Sequence, residues 1–258
     1  MNQLTNEKGF TLIELLIAVV ISLIVMAGTY LAFEFQHRAY ITEEEVTEMQ
    51  QNLRAAMLIL ERDIRRAGFD PTTIAKATII DATAISITFT LDENVDQTLD
   101  ANGDGMFDNG EAFTYTLYDS TIDADTELDD LGRDPDGITG ISDTNGTSGG
   151  NATYQVVAEN IEAVEFIYTL ADGTRTTTPG NLNEIRAIQV WLLARTSREI
   201  SDMPNFEDYN LLLASRTADP NGNPIPSAVF NTICGGGACN DNFRRRIATT
   251  SIKCRNMP

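Results

Sequence analysis

Residues 10–33 read FTLIELLIAVVISLIVMAGTYLAF, and Glu14 is the single charged side chain among them. The stretch exceeds the roughly 20 apolar residues that carry a helix across a bilayer core. The nine residues before it are short and polar, with Lys8 two positions ahead of the apolar run, which favours a cytoplasmic placement for that end. A cleaved secretory signal has a shorter apolar core followed by a small-residue cleavage site, whereas here the run leads on into further helical sequence. Glu14 is the exception in the pattern. A carboxylate in a membrane helix costs about 2.5 kcal/mol or more at the bilayer centre, and somewhat less toward the interface. A partner for that charge is therefore expected.

The run Lys8-Gly9-Phe10-Thr11-Leu12-Ile13-Glu14 resembles the prepilin peptidase motif of type IV pilins and type II secretion pseudopilins. That resemblance implies cleavage after Gly9 on the cytoplasmic side and N-methylation of the new terminus at Phe10. It also places Glu14 five residues into the mature chain, where the family's acid meets the N-terminal amine of a neighbouring subunit. Two buried opposite charges offset their desolvation best by pairing with each other. The implied organisation is a leader at 1–9, a transmembrane and assembly helix at 10–33, and a periplasmic globular domain at 34–258 that includes the second half of the helix.

Helical character continues past the span. Residues 40–66 contain neither Pro nor Gly, and Ile41, Val46, Met49, Leu53, Met57, Leu60 and Ile64 recur mostly three and four residues apart. Glu43, Glu44, Glu45, Arg54, Glu61 and Arg62 fill the other faces, so the segment predicts an amphipathic helix with a stripe for a sheet to cover. Gly68 and Pro71 supply a stop. A helix from 10 to 66 would be about 85 Å long at 1.5 Å per residue. Many major pilins carry a helix-breaking proline in the apolar segment, and this chain has none before Pro71; Gly28 is the one weak point. β-like runs follow at 78–91, 112–118, 153–157, 163–168, 184–193 and 246–254, with alternation clearest in Val164/Phe166/Tyr168 and Ile188/Val190/Leu192. Residues 171–181 read as a hairpin connection, and 131–151 and 218–228 as long surface loops. The expected class is α+β: the pilin fold, a long N-terminal helix packed on an antiparallel β-sheet.

Further matches are looser and spread along the chain. Arg65-Arg66-Ala67-Gly68-Phe69, Val190-Trp191-Leu192-Leu193-Ala194-Arg195, Phe243-Arg244-Arg245-Arg246, Thr249-Thr250 and Arg255-Asn256 resemble PilW-type minor pilins.

The sharpest signal of another kind is DANGDGMFDNGE at 100–111. It matches the twelve-residue EF-hand calcium loop, with oxygen side chains from Asp100, Asn102, Asp104 and Asp108, Gly105 at the sharp turn, and Glu111 as the closing ligand. Met106 would contribute its backbone carbonyl. Calcium takes six to eight hard oxygens, which explains the residue types, although the run at 112–118 reads as a strand where an EF-hand has a helix. An acidic hairpin tip with accidental spacing is the competing reading. Asp123, Asp125, Glu127, Asp129, Asp130, Asp134 and Asp136 form a second acidic cluster without the motif, and it reads as a solvated loop.

Cys234, Cys239 and Cys254 all lie near the C-terminus, fitting an oxidising compartment better than a zinc site. A Cys234–Cys239 disulfide is the favoured pairing, with three connectivities open, and Cys254 reads as a core residue. The one histidine, His37, sits just beyond the span, which disfavours a Ser-His-Asp or Cys-His enzyme. A net charge of −20 disfavours nucleic-acid binding, and Arg244, Arg245 and Arg246 are expected to pair with carboxylates. The expected function is that of a non-enzymatic, PilW-like minor pilin taking part in pilus assembly or initiation. Its partners would be other major and minor pilins, the prepilin peptidase and the inner-membrane assembly platform. The alternatives are a minor pseudopilin of a type II secretion system and an adhesin on a pilin stem.

Overall fold

The computed structural model describes residues 10–100, 107–108, 110–118, 129–135, 154–200 and 241–256. A single helix, α1, runs from Leu12 to Arg66, passing through Gly28 without interruption. The chain falls into two compact units, Met1–Glu45 and Val46–Pro258. In the first unit the apolar side chains of α1 face outward, and the most apolar 18-residue window has a mean hydropathy of 2.5 with none of it buried. The hydroxyls of Ser22 and Thr29 donate to the carbonyls of Ala18 (2.7 Å) and Val25 (2.8 Å). They thereby satisfy inside the helix the polar groups a lipid environment cannot.

In the second unit the remainder of α1 packs on β-structure. Met49, Leu53, Ala56, Leu60 and Ile64 are buried, and Val46 and Met57 pack at the edge of the same core. Their spacing of three and four keeps them on one stripe. Ile41, expected at the head of that stripe, remains exposed at 39%. Gly68 ends the helix with a φ of +73°, and Phe69 N–H returns to Arg66 O at 2.9 Å. The Asn256 amide adds long contacts to the carbonyls of Arg65, Arg66 and Ala67 (3.4–3.5 Å), drawing the end of the chain onto the orphan acceptors of the helix terminus.

Among the described residues the strands are all antiparallel and form two sheets. The first has the order β1 (Ile79–Ala82), β2 (Ile87–Thr90), β3 (Ala112–Tyr118), β4 (Asp130–Asp134), β5 (Gln155–Ala158). The second has the order β7 (Arg175–Thr176), β6 (Ile161–Leu170), β8 (Ile185–Arg195), β9 (Arg245–Lys253). The alternating residues Val164, Phe166, Tyr168, Ile188, Val190 and Leu192 all enter the core with Phe89, Tyr115 and Leu131. Between the sheets, Ile161 N–H donates to Asp129 O at 2.5 Å, Phe166 N–H to Ala84 O at 2.8 Å, and the Tyr168 hydroxyl to Thr83 O at 2.8 Å.

Three expectations are corrected here. The run at 78–91 is a hairpin and not one strand. Thr83 closes its turn, accepting from Ser86 N–H through Oγ1 (3.0 Å) and donating its own N–H to Ser86 O (2.9 Å). The loop expected at 131–151 begins as a strand, because Asp130 to Asp134 pair with β3 on one side and β5 on the other. The sequence DLGRD has little β-propensity, and the pairing of both flanks overrides it. Asp129, Asp130 and Asp134 are consequently buried and not solvated, with Asp129 bound to Arg195 at 2.7 Å. The arginine expectation holds for Arg245, whose guanidinium is clasped by Glu162 (2.5 and 2.9 Å) and Asp241 (2.7 Å).

Candidate functional site

At the N-terminus the sequence Thr11-Leu12-Ile13-Glu14 folds as a capping box. Thr11 N–H and Thr11 Oγ1 donate to Glu14 Oε2 at 2.9 and 3.0 Å, and Glu14 N–H donates to Thr11 Oγ1 at 3.3 Å. Each residue thus satisfies backbone or side-chain donors of the other, and the carboxylate lies close to the positive end of the helix dipole. Phe10 is 91% exposed just ahead of it. Glu14 has a local partner within its own chain, and its outer face remains open for a second.

A second site lies where the sheet meets the end of α1. Leu91 N–H donates to Glu111 O at 2.8 Å, continuing the β2–β3 ladder, and Asp92 N–H donates to Phe69 O at 2.7 Å. These bonds bring Asp92, at the exit of β2, beside Glu111, at the entry to β3. The chain then turns back through Val95 and Gln97, both at positive φ (60° and 75°). Gln97 N–H donates to Asp92 Oδ2 at 3.3 Å and Thr98 N–H to Asp96 Oδ1 at 3.0 Å, which holds the turn closed. Oxygens of Asp92, Asp96 and Glu111 then lie within 4.8 Å of one another. This acidic triad can hold a metal ion.

The electrostatics of the triad are unfavourable for three bare carboxylates. Asp92 and Glu111 are buried (0% and 2% exposed), and Asp92 Oδ1 and both Glu111 oxygens have no hydrogen-bond partner. Burial, followed by the charges of Asp96, Asp108 and Asp92, pushes the Glu111 carboxyl up to about 7; the Asn94 N–H opposes this weakly without meeting hydrogen-bond geometry.

Of the residues expected from the calcium-loop pattern, Asp100, Asp108 and Glu111 are described and Asn102, Asp104 and Met106 lie outside the described residues. The base of that loop is closed by Asp108 N–H donating to Leu99 O at 2.9 Å and by Glu111 N–H donating to Asp108 O at 3.0 Å. Gly9, Cys234 and Cys239 also fall outside the described residues, while Cys254 is a buried free thiol. Asp92 and Asp96 did not stand out in the sequence. Their meeting with Glu111 depends on the β2–β3 pairing.

Comparison with known proteins identifies the family. The family model described as prepilin peptidase-dependent protein B matches residues 43–182, more than half of the chain. The chain belongs to the prepilin peptidase-dependent protein B family. The model of the prokaryotic N-terminal methylation motif matches residues 4–30, which include Gly9, Phe10 and Glu14. As a member of this family with that motif, the chain is a type IV-like prepilin, a structural subunit and not an enzyme, and processing by prepilin peptidase goes with the family. Among solved structures, a type IV-like pilin from Thermus thermophilus is similar at 16% identity, covering 81% of this chain and 97% of its own, with a TM-score of 0.49. No curated protein matches the chain.

Proposed function

We propose that this prepilin peptidase-dependent protein is a PilW-like minor pilin of the inner membrane, with its globular part in the periplasm, that primes or caps a pilus. Cleavage would follow Gly9, and the methylated amine of one subunit's Phe10 would meet Glu14 of the next. The observation that carries the reading is the exposed apolar helix with one acid at its head, already ordered by Thr11. A helix whose apolar side chains face outward in this way suits burial by lipid and then by other helices.

Glu14 has two roles to separate, the cap and the intersubunit charge. Gln at this position preserves a capping box and removes the charge; Ala removes both. Both variants are expected to be cleaved by the peptidase but to fail to enter sheared filaments. Normal incorporation of Glu14→Gln would sink the charge-pairing role. A type II secretion pseudopilus would appear as loss of secretion with pili intact in a deletion strain.

The loop of residues 100–111 is proposed to bind calcium, supported by its ligand pattern and by the burial of its closing residue Glu111. A Cys234–Cys239 disulfide is proposed alongside it, and thiol mapping by mass spectrometry would test that pairing.

A further inference from the structure

The acidic triad contains a set of ligands that the twelve-residue pattern does not. Asp92 and Asp96 precede that loop in the chain, and only Glu111 belongs to both. Proximity of acids alone would say little. The decisive second observation is that Asp92 Oδ1, Glu111 Oε1 and Glu111 Oε2 are each sealed from solvent without a hydrogen-bond partner. A buried carboxylate oxygen left unpaired is costly, and a cation shared by neighbouring carboxylates offsets that cost. The charges acting on Glu111 are those of Asp96, Asp108 and Asp92, and Arg66 is engaged by Glu93 at 2.5 Å.

We infer that Asp92, Asp96 and Glu111 form a calcium site that fastens the exit of β2 to the entry of β3 beside the end of α1. The donors are all hard carboxylate oxygens, which suit calcium, magnesium or manganese and disfavour zinc or copper. Ligand number then selects among the hard ions. Calcium takes six to eight oxygens in a flexible shell, whereas magnesium keeps several waters and is held by one or two carboxylates. Three carboxylates whose oxygens lie within 4.8 Å of one another therefore suit calcium better. Asp96 is exposed while its two partners are buried, so the site has an open side for an ion to enter and for water to complete the shell. The consequence reaches α1, because Asp92 N–H is bonded to Phe69 O and Gly68 N–H to Thr90 O (2.7 and 2.9 Å).

This inference shares Glu111 with the calcium-loop reading and is otherwise independent of it. The test is calorimetric titration of CaCl2 into the EDTA-stripped full chain in detergent micelles, with melting curves in parallel. One saturable calcium site is expected, with MgCl2 at least tenfold weaker. Asp92→Asn and Glu111→Gln should each weaken calcium binding at least tenfold and abolish the calcium-induced rise in Tm. In EDTA the same variants should melt no lower than the wild type, because they remove mutual repulsion, and this shows that they fold. If Asp104→Asn abolishes binding while Asp92→Asn and Asp96→Asn do not, the triad is overturned and the loop reading stands. If the triad variants abolish binding and Asp104→Asn does not, the triad stands and the loop reading falls. Absence of calcium binding by the wild type overturns both.

Discussion

Asp63 occupies the buried side of α1, where an ionised carboxylate would ordinarily be excluded. It is kept there by donors from three directions: the Tyr115 hydroxyl at 2.6 Å, Arg62 Nε at 2.8 Å and Arg133 Nη1 at 3.2 Å. Burial on its own would raise the carboxyl, but the hydrogen bonds from Arg62 and Tyr115, with the Arg62 and Arg133 charges, bring it below the usual carboxylate range. Burial, followed by the same carboxylate, holds the Tyr115 hydroxyl protonated far above its ordinary range. A depressed folded value means that Asp63 stabilises the fold above the ordinary carboxylate range and loses that effect as pH falls through the folded value. Asp63→Asn is therefore expected to cost about 1.5–3 kcal/mol at neutral pH, the range for hydrogen bonds to charged groups. Urea midpoints at pH 7 and in acid should show the gap between variant and wild type narrowing as pH falls. A gap of constant size would mean that the Asp63 charge contributes nothing.

At the level of elements, two glycines do what no other residue would do as well. Gly68 ends α1 at φ +73°, so Gly68→Ala should lower stability by about 1 kcal/mol through backbone strain alone. Gly132, in the middle of β4, lies under the stacked rings of Tyr118 and Tyr154, whose centroids are 5.0 Å apart. A Cβ there would come within 2.5 and 2.7 Å of the Tyr118 ring and 2.9 Å of the Tyr154 ring. Gly132→Ala should cost about 1–3 kcal/mol by overpacking, and much less in a Tyr118→Ala background. A double-mutant cycle by chemical denaturation measures that coupling; strict additivity would mean the rings are not what excludes the methyl. β4 was hidden in the sequence for the same reason. Its register against β3 and β5 is set by neighbours distant in sequence, and a strand with Gly at its centre and Asp at both ends has no local preference to reveal it.

For the whole molecule, the C-terminal strand is the element that closes the second sheet and carries the chain back to the end of α1. Cys254 follows it, 8% exposed, and burial pushes its thiol up to about 11. Alkylation of Cys254 by iodoacetamide at pH 8, followed by peptide mass spectrometry, should be negligible in the folded chain and appear with global unfolding in urea; labelling at the unfolded rate in buffer would place this strand outside the cooperative fold. Sequence alone determined the membrane-type helix, the prepilin motif around Gly9, Phe10 and Glu14, the stripe from Met49 to Ile64 and the stop at Gly68. All of these depend on contiguous residues, through apolar length, helical period or the freedom of one glycine. Tertiary structure decided the division into two sheets, the burial of Asp63 and Asp129, and the meeting of Asp92 and Asp96 with Glu111. Those features arise when antiparallel pairing brings together residues far apart in the chain, and no local pattern encodes which carboxylates will then share one buried space.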